Sequence, residues 1–246
     1  MGKLLLTLQY DGTAYHGWQV QPNGVTVQEA LQNAVEAVCG IRLGVTGCSR
    51  TDTGVHARRF YCTIDEPIKP PAESMVRALN AHLPEDVAVL ACRRVPEGFH
   101  PRYSAEGKRY CYYIWNGAAR SPFYKNHALH LRLPLDERQM NETAQLFLGT
   151  HDFSAFCAAG SSVEDKRRTV RRSEVTRQGD MVVFTVEADG FLYNMVRIFV
   201  GTLLDVHAGR LDRETVKQAL ETGKRECAGA TAPAHGLFLD EVFYTL

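Results

Sequence analysis

The 246-residue chain has no net charge. Its 28 Lys and Arg are matched by 28 Asp and Glu, which excludes a uniformly basic nucleic-acid coat and leaves room for a local basic face. It also lacks long apolar runs. The N-terminal run Leu4-Leu5-Leu6-Thr7-Leu8 stops at Gln9-Tyr10-Asp11, short of both a signal h-region and the roughly 18 residues of a membrane span. No C-x-x-C occurs among the seven cysteines at 39, 48, 62, 92, 111, 157 and 227. That pattern reads as reduced thiols in a cytoplasmic protein, with no structural metal. Glycine-rich phosphate loops are missing too. What is present is ordinary for a folded globular chain, 45% hydrophobic and 23% charged, enough for one large domain or two modest ones with a real core.

Alternating and continuous apolar runs predict strands at about 3–9, 58–64, 87–95, 107–115, 170–177, 181–188 and 237–244. Period-3.6 patterns predict helices at 27–38, 72–82, 136–148, 191–206 and 212–222. Strands 170–177 and 181–188, joined by Gln178-Gly179-Asp180, read as an antiparallel hairpin. The expected class is therefore α+β with an antiparallel or mixed sheet. Two halves share a coarse strand-helix-strand order, divided near 100–107.

Charge is segregated along this frame. His100 to Lys125 holds five Lys/Arg against Glu106, and Lys166 to Arg177 holds six against Glu174. Arg50, Arg58 and Arg59 form a third group. Any one run alone reads as a solvated face. Three of them, one interleaved with Tyr103, Tyr110, Tyr112, Tyr113, Phe123 and Tyr124, point to a polyanion groove with stacking platforms.

Two segments suggest chemistry. In Gly47-Cys48-Ser49-Arg50-Thr51-Asp52-Thr53-Gly54-Val55-His56-Ala57, small turn-forming residues flank Asp52, and Arg50 lies close enough to favour its ionised form. An arbitrary Asp-x-Gly would merely stabilise its own turn. The second segment, Phe191 to Leu204, is apolar nearly all round, with Arg197 as its single charge. A buried guanidinium needs an acceptor, in a structural ion pair or at a site. Asp52 is the candidate carboxylate, held deprotonated as a nucleophile or base requires. Asp52-Thr53-Gly54 also spells the aspartic-protease tripeptide. That chemistry needs a second Asp sharing one proton, no second copy of the tripeptide occurs, and an adjacent Arg opposes proton sharing.

Eight blocks in order resemble the bacterial tRNA pseudouridine synthase A family: Leu8 to Gln21, Ser49 to Ala57, Leu79 to Pro84, Phe99 to Ala105 with Lys108-Arg109-Tyr110, Gly149 to Phe153, Arg168-Thr169-Val170, Phe191 to Gly201, and Ala232 to Leu239. The resemblance implies a pseudouridine-synthase fold of two ferredoxin-like halves, 1–103 and 104–246, with a joined sheet and a central cleft. It implies a homodimer that isomerises uridine at tRNA positions 38, 39 and 40, with no cofactor and no metal. Asp52 matches the family's catalytic aspartate and Arg50 the arginine that helps displace the target base. Arg197 matches the buried partner of the aspartate, Tyr110 the tyrosine stacked on uracil, and Leu237 the leucine packing the base pocket. With Arg50 and Arg58, the runs around Arg102 and around Arg167 and Arg168 are expected to contact phosphates. Ser49, Thr53, Phe60 and Pro101 stand where Gly, Ala, Gln and Ala are usual. His56, His100 and His235 read as serving local hydrogen bonds. The non-enzyme rival is an RNA-binding scaffold that has lost catalysis, and the joint presence of Asp52, Arg197 and Tyr110 argues against it.

Overall fold

The computed structural model describes residues 2–65 and 70–245. The chain forms two compact units, Met1–Glu106 with Phe238–Leu246, and Gly107–Leu237.

In the first unit, β1 (Lys3–Tyr10) is followed by α1 (Val27–Cys39), β2 (Val45–Gly47), β3 (His56–Ile64), α2 (Ala72–Asn80) and β4 (Val87–Val95). β1 lies between β3 and β4 and is antiparallel to both, and β2 is also antiparallel to β3. Leu4, Leu5 and Leu6 are all buried, so β1 is covered on both faces. That explains its continuous apolar run where a half-exposed strand would alternate. Thr26 caps α1 by accepting the Glu29 N–H (3.3 Å), and the α1 face Val27, Leu31, Ala34 and Val35 is buried at helical spacing. Helix α1 packs on α2, and α2 on β4.

In the second unit, β5 (Gly107–Trp115) leads to β6 (Leu129–His130), α3 (Glu137–Ala144), β7 (Gly149–Asp152), β8 (Arg167–Gln178), β9 (Met181–Ala188), α4 (Met195–His207) and α5 (Arg213–Thr222). The antiparallel order is β5-β9-β8-β7, with β6 parallel to the end of β5. β8 and β9 form the expected hairpin, with a bulge between Val170 and Arg172. The helix expected at 136–148 is helical to Ala144 and tightens into a 3₁₀ turn over Gln145–Phe147. The helix expected from 191 starts instead at Met195, because Asn194 adopts the left-handed conformation (φ 59°), which Asn tolerates locally and a helix cannot propagate. The core is aromatic. Phe199 of α4 stacks on Phe147 at 4.0 Å and meets Phe153, Phe156 and Phe184 edge-on, which fixes α4 about its own axis.

β10 (Leu237–Phe243) comes last in sequence, yet from Phe238 onward it belongs to the first unit. It runs parallel to β3, pairing Phe238 with His56 and Leu239 with Ala57. Both units are thus α+β with mixed strand directions. All seven cysteines are free thiols. No helix of the described residues is long and apolar enough to cross a membrane.

Candidate active site

Asp52 lies, half-buried, on the turn that leads into β3. Its backbone is held from two sides. Within the turn, the Val55 N–H donates to the Asp52 carbonyl (3.1 Å). From the Gly12–Trp18 segment, the Trp18 N–H donates to the Thr51 carbonyl (3.2 Å) and the Gly54 N–H to the Tyr15 carbonyl (3.3 Å). The buried Thr51 hydroxyl bonds the Tyr10 hydroxyl at 2.9 Å. Phe60 of β3 stacks on Trp18 with centroids 4.1 Å apart. The backbone that carries the Asp52 carboxylate is thus fixed in place.

Gly17 makes this close approach possible. Its φ is +80°, and a Cβ there would stand 2.2 Å from the Thr51 carbonyl oxygen. Gly17→Ala adds left-handed strain of roughly 1–2 kcal/mol and pushes the Asp52 turn outward, since neither clashing group is a flexible side-chain end. Turnover is expected to fall about a hundredfold, the cost of displacing a catalytic group by about an ångström. A steady-state kcat near wild type would contradict this.

The second unit carries the other candidate residues on α4, β5 and the approach to β10. Arg197 sits in the first turn of α4. Its Nε donates to the Ala232 carbonyl (2.7 Å) and one terminal nitrogen to Asn194 Oδ1 (2.7 Å), while the Ala232 N–H donates back to the Arg197 carbonyl (3.1 Å). The left-handed Asn194 therefore both starts the helix and orients the guanidinium. α4 lies directly on the 229–232 segment, where a Cβ on Gly201 would be 1.6 Å from the Ala230 carbonyl oxygen. Tyr110, on β5, is buried and meets the Phe191 ring edge-on at 4.9 Å. Leu237 is buried at the start of β10. The Tyr112 hydroxyl donates to the Pro233 carbonyl (2.8 Å), tying the 233–237 approach to β5. Tyr112 is wholly buried, a core residue and not a stacking platform, and that burial raises its pKa well above the ordinary value.

The family model described as tRNA pseudouridine synthase matches residues 7–104 and 143–245. The chain belongs to this family. It is 44% identical over 244 residues to the tRNA pseudouridine synthase A of Thermoanaerobacter sp. (strain X514), covering 99% of this chain and 100% of that one. Identity is 45% over 238 residues to the protein of the same name from Halalkalibacterium halodurans, with 96% and 90% covered. It is 42% over 244 residues to that of Bacillus subtilis (strain 168), with 98% and 99% covered.

Within this tRNA pseudouridine synthase chain, Arg50, Asp52, Arg58 and Arg102 lie in the first unit, and Tyr110, Arg167, Arg168, Arg197 and Leu237 in the second. The basic runs divide by partner. Arg58 pairs with Asp240 (3.2 Å) above the Phe238 ring, Arg59 with Glu241 (3.4 Å), Arg109 with Glu187 (2.6 Å), Arg172 with Glu174 and Glu187, and Arg177 with Glu137 (2.9 Å). Among the described residues no carboxylate lies within ion-pair distance of Arg50, Arg102, Arg167 or Arg168. Phe60, where the family usually has Gln, is wholly buried.

The histidines have local partners. His56 Nδ1 accepts the Gly12 N–H (3.0 Å), and His100 Nδ1 accepts the Arg102 and Tyr103 N–H groups. Burial lowers the His235 pKa below the usual imidazole value. Sequence reasoning missed the supporting parts: Gly17 and Tyr10 behind the Asp52 turn, and Asn194, Gly201 and Ala232 around Arg197. Their signal was available only as membership in the matched blocks, since nothing in an isolated Gly or Ala announces a backbone contact.

Proposed function

We propose that the chain isomerises uridine to pseudouridine at positions 38, 39 and 40 of the tRNA anticodon stem-loop, as a cytoplasmic homodimer. The observation that carries this is the Asp52 turn, clamped at its backbone with Asp52 half-buried, in a chain that the tRNA pseudouridine synthase family model matches over residues 7–104 and 143–245. In this reading Asp52, Arg197, Tyr110 and Leu237 are the residues that act on the extruded uridine. Arg197 keeps Asp52 ionised and aimed, Tyr110 stacks on the uracil, Leu237 packs its pocket, and Arg50 helps displace the base.

The reaction breaks the N1–C1′ bond and forms C5–C1′. The C5 hydrogen leaves as a proton and N1 gains one, so atoms and electrons balance without a cofactor or metal. Asp52 attacks C1′, attacks C6, or removes the 2′ proton to give a glycal, and each route needs it deprotonated. Extruding a stacked base costs a few kcal/mol, offset by phosphate contacts and pocket stacking. The test is tritium release from tRNA transcripts carrying 5-tritiated uridine in the anticodon stem-loop. Forming a C5 bond must expel that hydrogen, and tight binding with no release from any transcript would leave a binding protein.

The phosphate contacts are assigned to Arg50, Arg102, Arg167 and Arg168, with Arg58 joining them by giving up Asp240. An exposed ion pair of that kind is worth at most about 1 kcal/mol. Neutralising four to five phosphates makes tRNA affinity fall by roughly two to three orders of magnitude between 50 and 200 mM salt. Arg167→Ala should reduce the slope of log K against log salt by about one. A flat salt dependence in a filter-binding titration would sink the assignment.

A further inference from the structure

The stretch between the two segments matched by the family, 105–142, carries the most exposed of the exposed large apolar side chains among the described residues. Phe123 is 88% exposed and Leu133 78%. Neither hangs on a loose loop. Pro122 opens the 3₁₀ turn Pro122–Tyr124, and the Tyr124 carbonyl accepts the N–H groups of His127 and Ala128, each at 3.0 Å. The Tyr124 ring rests on Trp115 at 5.1 Å, and Trp115 Nε1 donates to the Ala119 carbonyl (2.8 Å). Asn116, just past the end of β5, donates to the Leu131 and Leu133 carbonyls (2.8 Å each). Both apolar side chains are thus held out from the Trp115–Asn116 end of β5 by a fixed scaffold.

Charge along this stretch of the chain has one sign. Residues 116–133 include Arg120, Lys125 and Arg132 and no Asp or Glu. All three cations are exposed, and no carboxylate of the described residues lies within ion-pair distance of any of them. We propose that this end of the second unit is a further RNA-contact surface, where Phe123 stacks on an unpaired base and Arg120, Lys125 and Arg132 hold neighbouring phosphates. The proposal rests on the tRNA reading above and adds a contact outside the family's matched segments. A rigid aromatic among cations suits a nucleobase beside its phosphates. A second copy of this chain suits it less, because a two-fold contact through this face brings a patch of three cations against a patch of the same sign.

The test uses the full chain and unmodified tRNA transcript at fixed, near-physiological salt. Phe123→Ala should weaken tRNA binding about tenfold, within the range that loss of one stacked base gives, with kcat at saturating tRNA unchanged. Phe123→Trp should bind within about twofold of wild type, since the ring face is what matters. Wild-type affinity in Phe123→Ala, or failure of Phe123→Trp to restore binding, overturns the proposal. So does a loss of dimer in sedimentation by Phe123→Ala with unchanged tRNA affinity per protomer, which assigns the face to self-association. Tritium release by the wild type is read in the same samples. Its absence defeats the catalytic reading and leaves the affinity comparison between variants standing as a separate result.

Discussion

Asp52→Asn abolishes tritium release from anticodon stem-loop uridine, by about four orders of magnitude or more, on the scale seen when an essential catalytic group is removed. The same variant binds tRNA within a few-fold of wild type. The reasons are separable. Asn matches Asp in size but carries no charge, and neither a nucleophile nor a base survives that change. The turn, however, is held through the backbone groups of Thr51, Asp52 and Gly54 and the Thr51 hydroxyl, none of which the substitution touches. Binding rests on phosphate contacts from arginines elsewhere. A thermal midpoint and a filter-binding isotherm complete the measurement. If activity and binding fell together, Asp52 would be holding the turn and the catalytic assignment would be lost.

Gly201→Ala is the second large effect, and it acts at a distance from any reacting atom. The added Cβ would lie 1.6 Å from the Ala230 carbonyl oxygen. Helix α4 cannot rotate away, because Phe199 is stacked within the Phe147, Phe153 and Phe156 cluster on its other side. Overpacking against backbone is expected to cost about 3 kcal/mol or more, lowering the thermal midpoint by roughly 6–12 °C for a chain of this size. Activity should fall further than stability alone accounts for, since the Arg197 bonds to Ala232 run between the same two segments. Gly98→Ala is the control. Nothing lies within 4 Å of a Cβ there, and its midpoint should match wild type. Calorimetry showing equal midpoints for both variants would refute the close-packing account.

The sequence by itself determined the long elements and the family. Continuous apolar runs located β1, β3, β5 and β9, and a helical apolar face located α1, because burial on a regular backbone imprints its period on the residues. The ordered blocks identified the family, while the Asp52 loop and the lone Arg197 of an apolar segment stood out as candidates without it. Short elements were not legible. β2, β6 and β7 span two to four residues each, too few for any period to register. Apolar content also misplaced the start of α4, since Phe191 and Leu192 are as hydrophobic as a helix interior while Asn194 takes a left-handed backbone.

Only the tertiary structure decided which cations are already partnered. Arg109, Arg172 and Arg177 meet Glu187, Glu174 and Glu137, and Arg109–Glu187 and Arg177–Glu137 join residues far apart in the chain, where a local charge run gives no warning. It alone returned β10 to the first unit beside β3. The physical reason is the same throughout. Periodicity and composition report whether a residue is covered, whereas register, backbone approach and ion pairing depend on what covers it, and that is settled only when distant segments meet.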